Sequence, residues 1–276
     1  MEECELCIIG AGYAGVNVLN AACHHLPPGA RVVVIDRGGR WGGQWEGQYD
    51  YVRLHQPFKG FSAGAREWAF ANSKPSGHLA SKTEILSHFD DIVASCVAEK
   101  NIQLVQLFRY EYHGHETVGG RVQLTAQPTA EAAMGGVSPV RIVASTLFRA
   151  EGFDVAIKTP FELSAQIRSF PSRCAPRPPL SAEFRLGALG SEALCCCGCR
   201  IHSLSPADVL TPKWNALMRY GAAADAPIYV IGSGKTAMDV IVHLSRREGG
   251  MASRLHCVAG RGTYFMNRDL CFPTDR

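Results

Sequence analysis

CELCIIGAGYAGVNVLNAACHHLPPGARVVVID, residues 4–36, decides the fold. Leu6–Ile9 is a short apolar run with the length of a strand. It leads straight into Gly10, Gly12 and Gly15, spaced G-x-G-x-x-G. Val18, Leu19 and Ala22 then recur at helical spacing, and Pro27, Pro28 and Gly29 end that helix. Arg31–Ile35 is a second apolar strand, and Asp36 closes it. This is the strand, turn, helix and strand of a dinucleotide-binding unit. The first glycine allows the tight turn, the second lets backbone approach a pyrophosphate, and the third lets the helix lie close on the strand. The helix start offers N–H groups to phosphate charge. Asp36 falls about twenty residues past the third glycine, where a carboxylate takes both hydroxyls of a ribose. The turn residues Gly10, Gly12, Tyr13, Ala14 and Gly15, with Asp36 and its neighbour Arg37, are the first set of candidate cofactor-binding residues. The alternative is a turn of the same shape kept only for packing.

The same pattern returns at IYVIGSGKTAMD, residues 228–239. Its Gly234-Lys235-Thr236 invites comparison with a P-loop, which needs a glycine five positions before Gly234. That position is Tyr229, inside an apolar run read here as a buried strand. The alternative spacing, G-x-G-x-x-A at Gly232, Gly234 and Ala237, follows the strand directly and precedes a helix face of Ala237, Val240, Ile241 and Leu244. Gly232, Ser233, Gly234, Lys235 and Thr236 form the second candidate set. The next strand, Leu255–Val258, ends without an acid and runs on to Arg261. A carboxylate would repel a 2′-phosphate, whereas an arginine pairs with it. Arg261 also reads as a solvated loop residue. The first unit therefore suits the free ribose hydroxyls of FAD or NAD, and the second suits NADP. Two such sites in one chain imply hydride transfer from NADPH to a flavin.

The 276 residues are enough for one large or two small domains, and the net charge of +3 with no basic run gives no case for nucleic acid. No apolar stretch has the length of a membrane span. The strand pattern begins at Cys4 with no signal peptide ahead of it, so the eleven cysteines read as reduced thiols and the expected location is cytoplasmic. Cys4 and Cys7 lie within the first strand and read as buried packing rather than as a reactive dithiol. Cys195, Cys196, Cys197, Cys199 and His202 have ligand-like spacing but no second ligand pair, so no metal site is assigned.

Following Asp36, the segment RGGRWGGQWEGQYDYVRLHQPFKGFS, 37–62, resembles the flavin-dependent monooxygenase group: flavin-containing monooxygenases, Baeyer–Villiger enzymes and their bacterial relatives. GAGYAG with Asp36, the Gly42-Gly43-Gln44-Trp45 segment, VRLHQPFK and the second fingerprint GSGKTA carry the likeness. It covers most of the chain and is weakest over 110–200. The resemblance implies FAD along the first fingerprint, with Asp36 at the ribose and Gly43, Gln44, Trp45 and Leu54 toward the flavin. It implies NADPH at the second fingerprint, a flavin C4a-peroxide, and oxygenation of a small organic substrate. Aligning Lys59 with the family's N-x-x-K lysine puts Gln56 where the family has an asparagine amide; Gln56 and His55 are the candidate catalytic donors. His55 reads equally as a partly buried histidine at a strand end. Of the family's F-x-G-x-x-x-H-x-x-x-[FY] signature, Gly198 and His202 remain, while Cys196 and Pro206 replace the aromatics.

The expected fold class is thus α/β, with two Rossmann-like units, FAD then NADP, the second incomplete at its C-terminal side. Residues 1–205 form the expected FAD domain, with an irregular insertion over 171–200, and 206–276 a partial NADP domain. Ser81-Lys82-Thr83-Glu84 is a capping box ahead of a helix with Ile85, Phe89, Ile92, Val93 and Cys96 on one face. NIQLVQLFRYEYHG and RVQLTAQP, 101–114 and 121–128, read as strands of a small antiparallel layer, and 126–138 as a loop. The chain stops soon after the second strand of the second unit, where the family's fold continues. A fragment, a truncated product and a complete chain covered by a partner all fit that ending. Alternatives to the monooxygenase are an NADPH-dependent flavoprotein reductase and a non-catalytic FAD-binding remnant.

Overall fold

The structure, a computed structural model, describes residues 1–64, 66–152, 192–194, 200–209, 211–212, 214–215, 226–246 and 251–260. The chain divides into two compact units. The described part of the first comprises 1–48 and 53–152; that of the second comprises Tyr49–Val52 and the residues from 192 onward.

The first unit is built on a six-stranded sheet. β1 (Glu2–Ile9) leads to α1 (Tyr13–Cys23) and β2 (Arg31–Asp36). A long connection with two 3-10 turns, Gly43–Trp45 and Phe58–Phe61, precedes α2 (Lys82–Lys100). Then come β3 (Gln103–Phe108), β4 (Tyr110–Val118), β5 (Arg121–Pro128), the short α3 (Ala130–Met134) and β6 (Val140–Arg149). The strand order is β3-β2-β1-β6-β5-β4. β1 pairs in parallel with β2 and with β6, and β2 with β3; β4, β5 and β6 pair antiparallel.

Alternation along the strands gives the sheet two apolar faces. Leu6, Ile8, Val32 and Val34 pack under α1 and α2 with Leu19, Ile85, Phe89 and Ile92. Cys7, Ile9, Val33 and Ile35 point the other way and pack with Leu124, Ala126, Ile142 and Ala144 of the antiparallel strands. Burial pushes the Cys4 thiol up to about 11 and raises that of Cys7, as packing thiols require. The chain turns out of the parallel sheet at Arg109, whose φ of 62° lies between β3 and β4. The 101–114 stretch is therefore not one strand of an antiparallel layer. Its first half, Gln103–Phe108, extends the parallel sheet, consistent with the apolar character of both its faces at Leu104, Val105 and Leu107. The expected loop over 126–138 also holds α3, capped by the Thr129 side chain accepting from the Ala132 N–H.

In the second unit, β7 (Glu192–Leu194) pairs antiparallel with β8 (Arg200–His202). β9 (Ile228–Ile231), α4 (Lys235–Ser245) and β10 (Leu255–Val258) form a parallel pair joined by a helix. Val230, Ala237, Val240 and Leu244 make its core with Val209 and Trp214. β9 is not the buried strand expected: only Val230 is inside, while Tyr229 is 60% and Ile231 58% exposed. Only one face of this small sheet packs on α4. Arg261 and the Cys195–Cys199 cluster with Gly198 lie outside the described residues.

Candidate functional site: two glycine turns, each in its own unit

The first turn sits between β1 and α1, as its spacing requires. Gly10 has φ +106°, and a Cβ there would come within 2.5 Å of the Ala150 carbonyl oxygen. A Cβ on Gly15 would overlap the Gly10 carbonyl oxygen, so α1 lies against the turn as the third glycine demands. α1 has Gly12 as its N-cap and no side-chain cap; its first backbone hydrogen bond runs from the Val16 N–H to the Gly12 carbonyl. The N–H groups of Tyr13, Ala14 and Gly15 precede that bond and lie at the positive end of the helix. Asp36 reaches into the same loop. One carboxylate oxygen accepts from the Ala11 N–H and the other from the Gly38 N–H, both at 2.6 Å.

The Gly43–Trp45 turn is docked on this loop. The Gly42 N–H donates to the Ala11 carbonyl at 2.9 Å. Gly43 has φ +54°, and a Cβ there would stand 2.7 Å from the Gly12 Cα. The two glycine segments touch backbone to backbone, which only side-chain-free residues allow. The Tyr13 ring stacks on Phe61 at 4.6 Å, and Trp45 meets the same ring edge-on at 5.6 Å. The Trp45 indole N–H is buried with no acceptor among the described residues. Gln44 is exposed beside it, and Arg37 follows Asp36 in an exposed position with a partner of its own.

Three further candidates stand on the 54–60 segment. Leu54 is buried in the core beneath α2, its N–H donating to the Ala80 carbonyl. His55 is exposed in a bend rather than part-buried at a strand end. The Gln56 amide nitrogen donates to the Gly60 carbonyl at 3.1 Å, so one of its two N–H donors is engaged within its own turn. Phe61 and Glu46 belong to the neighbourhood and were missed by motif reading. Phe61 carried no periodic signal, and Glu46 comes next to Gly38 and Gly39 only in the folded chain.

The second turn repeats the first in the other unit. Gly232 has φ +121°, and its N–H donates to the Val258 carbonyl at 2.8 Å. Gly234 caps α4 with no side-chain cap, and Ser233, Lys235 and Thr236 surround that helix start. Tyr229 lies in β9, so the segment has no room for a P-loop. Asp239 gathers two groups: it accepts from the Tyr49 hydroxyl at 2.6 Å and pairs with Lys235. Burial first, and the Asp239 carboxylate next, raise the Tyr49 phenol well above its ordinary value. Tyr51 stacks on His243 at 4.4 Å and donates to the Pro206 carbonyl at 2.8 Å.

No family model matches the chain, and no curated protein matches it. Solved structures do. A flavin-containing monooxygenase from Stenotrophomonas maltophilia superposes with a TM-score of 0.52 at 14% identity, over 98% of this chain and 61% of its own. A mutant of the flavin monooxygenase from the same organism gives 0.51 at the same identity and coverage. Bacillithiol disulfide reductase from Staphylococcus aureus gives 0.51 at 12% identity, over 100% of this chain and 61% of its own. The chain thus has the α/β fold of these two monooxygenases and the disulfide reductase, and spans about three fifths of their length.

Proposed function

We propose that the chain binds FAD in its first unit and NADPH in its second, and that it serves a flavin-dependent monooxygenase acting on a small organic substrate. One observation carries the first part. The Gly10–Gly15 turn, the Asp36 carboxylate and the Gly43–Trp45 turn, far apart in sequence, close around one cradle. The residues fit a flavin dinucleotide. Backbone without side chains faces the pyrophosphate position, the α1 start supplies N–H groups, and an acid stands at the strand end. The orphaned Trp45 indole N–H is a donor awaiting an acceptor. When bound, FAD would supply two-electron chemistry and the reaction with oxygen. The chain's own part is to hold the dinucleotide and orient it. His55 and Gln56 are the proposed hydrogen-bond donors toward the reacting face, Gln56 through the amide N–H that its bond to Gly60 does not use. In the second unit the bare start of α4 receives the NADPH pyrophosphate, and Arg261 is proposed to meet its 2′-phosphate.

The absorption spectrum of the purified 276-residue chain reconstituted with FAD, before and after NADPH without oxygen, tests this reading. Bound oxidised flavin that bleaches is the expected result. A folded chain that retains no flavin would overturn it. The fold shared with a disulfide reductase favours a second reading, a reductase that passes electrons to another acceptor. Readmission of oxygen separates the two: oxygenated product coupled to NADPH consumption supports the monooxygenase, and transfer to a disulfide without oxygenation supports the reductase.

A further inference from the structure

The loop that follows Asp36 is held from three sides. The Gly38 N–H donates to the Asp36 carboxylate at 2.6 Å. The Gly38 carbonyl accepts from the Arg109 N–H at 2.9 Å, at the corner where the chain leaves the parallel sheet. The Gly39 N–H donates to both carboxylate oxygens of Glu46 at 3.2 Å. Glu46 also lies directly on the loop: a Cβ on Gly38 would stand 2.5 Å from its carboxylate, and one on Gly39 3.1 Å. Glu46 ends the Gly43–Trp45 turn, its own N–H bonded to the Gly43 carbonyl. One side chain therefore ties the turn docked on Gly12 to the loop that orients the acid.

We propose that Glu46 is a positioning residue for the adenosine half of the dinucleotide: it fixes residues 37–40 so that Gly38 presents the Asp36 carboxylate to the ribose. The inference rests on the reading of the first unit as an FAD site. Charge gives it a specific sense. Asp36 spends one bond on each oxygen toward backbone, which leaves further lone pairs directed by that anchoring. Without Glu46 the Gly38-Gly39 pair has the freedom of two glycines, and Asp36 loses a fixed partner. Ligands with the adenosine half depend on Glu46, whereas a mononucleotide flavin does not.

The test is equilibrium binding of FAD, ADP and FMN to the full chain, native, Glu46→Ala and Glu46→Gln, by flavin fluorescence quenching and calorimetry. Glu46→Ala is expected to weaken FAD and ADP about tenfold, the loss of a charge-assisted hydrogen bond, and to leave FMN unchanged. Glu46→Gln keeps an acceptor and is expected to recover most of the affinity, and it serves as the variant of record if the alanine form does not fold. Native chain that binds FAD, with both variants equal to it, would overturn the role of Glu46 and leave the FAD site standing. An equal loss for FMN would overturn it too, by making Glu46 a general support of the fold. Native chain that binds neither FAD nor ADP would remove the site and the inference together.

Discussion

Gly43 shows how closely single atoms set the cradle. Its φ is +54°, and an added Cβ would press on the Gly12 Cα at 2.7 Å. Gly12 cannot swing aside as a side chain would, because the atoms met there are its backbone Cα and N. We predict that Gly43→Ala costs about 1–3 kcal/mol of stability and weakens FAD binding, read from thermal melts with and without FAD. An unshifted melt and unchanged FAD affinity would refute the backbone contact. His88 gives a second prediction. It is 2% exposed, stacked on Trp68 at 4.0 Å, and its Nε2 accepts from the Ala63 N–H at 3.5 Å. Burial holds its pKa down from 6.5 to about 4, against the opposing pull of Asp91. Below pH 6.5 the unfolded chain takes up a proton that the folded chain refuses, so stability falls with pH until about 4 and then levels. The expected loss is on the order of 3 kcal/mol, seen in urea midpoints from pH 7 to 4. Native and His88→Gln chains with parallel pH profiles would show that His88 contributes none of it.

Elements were legible where the sequence signal was local. The capping box is one case: the Ser81 side chain accepts from the Glu84 N–H, and Glu84 accepts from the Ser81 N–H at 2.7 Å. We predict a cost of about 1 kcal/mol for Ser81→Ala, measured by urea denaturation; no change in midpoint would mean that α2 is held by packing alone. The helix face Ile85, Phe89, Ile92, Val93 and Cys96 is buried as its spacing implied, and the glycine turns lie where theirs did. What could not be read is what depends on distant chain. Gln103–Phe108 has a strand's composition, but the neighbour that makes it parallel is β2, some seventy residues earlier. Tyr229 and Ile231 look like core residues until the other face of the β9–β10 pair is known. The site divides the same way. Gly10, Gly12, Gly15 and Asp36 announce themselves by spacing, whereas Glu46 matters through Gly38 and Gly39, and Phe61 through the Tyr13 and Trp45 rings, which they meet only in space.

At the scale of the molecule, each unit has a core of its own, on two sheet faces in the first and around Trp214, Val240 and Leu244 in the second. We predict that heating unfolds the chain in two steps, FAD raising one and NADP⁺ the other. A single calorimetric transition moved by both ligands would contradict this independence. The assignment of Tyr49–Val52 to the second unit has a consequence for how the protein is made. Tyr49 meets Asp239 across 190 positions, and Tyr51 meets Pro206 across 155. A ribosome adding about 5–20 residues per second leaves these tyrosines waiting roughly 10–40 s for partners that are still unsynthesised. During that interval the nascent chain carries two aromatic side chains without their native contacts, close to the glycine turn already free to form. A gene cut between the units therefore leaves the second without its Tyr49–Val52 segment.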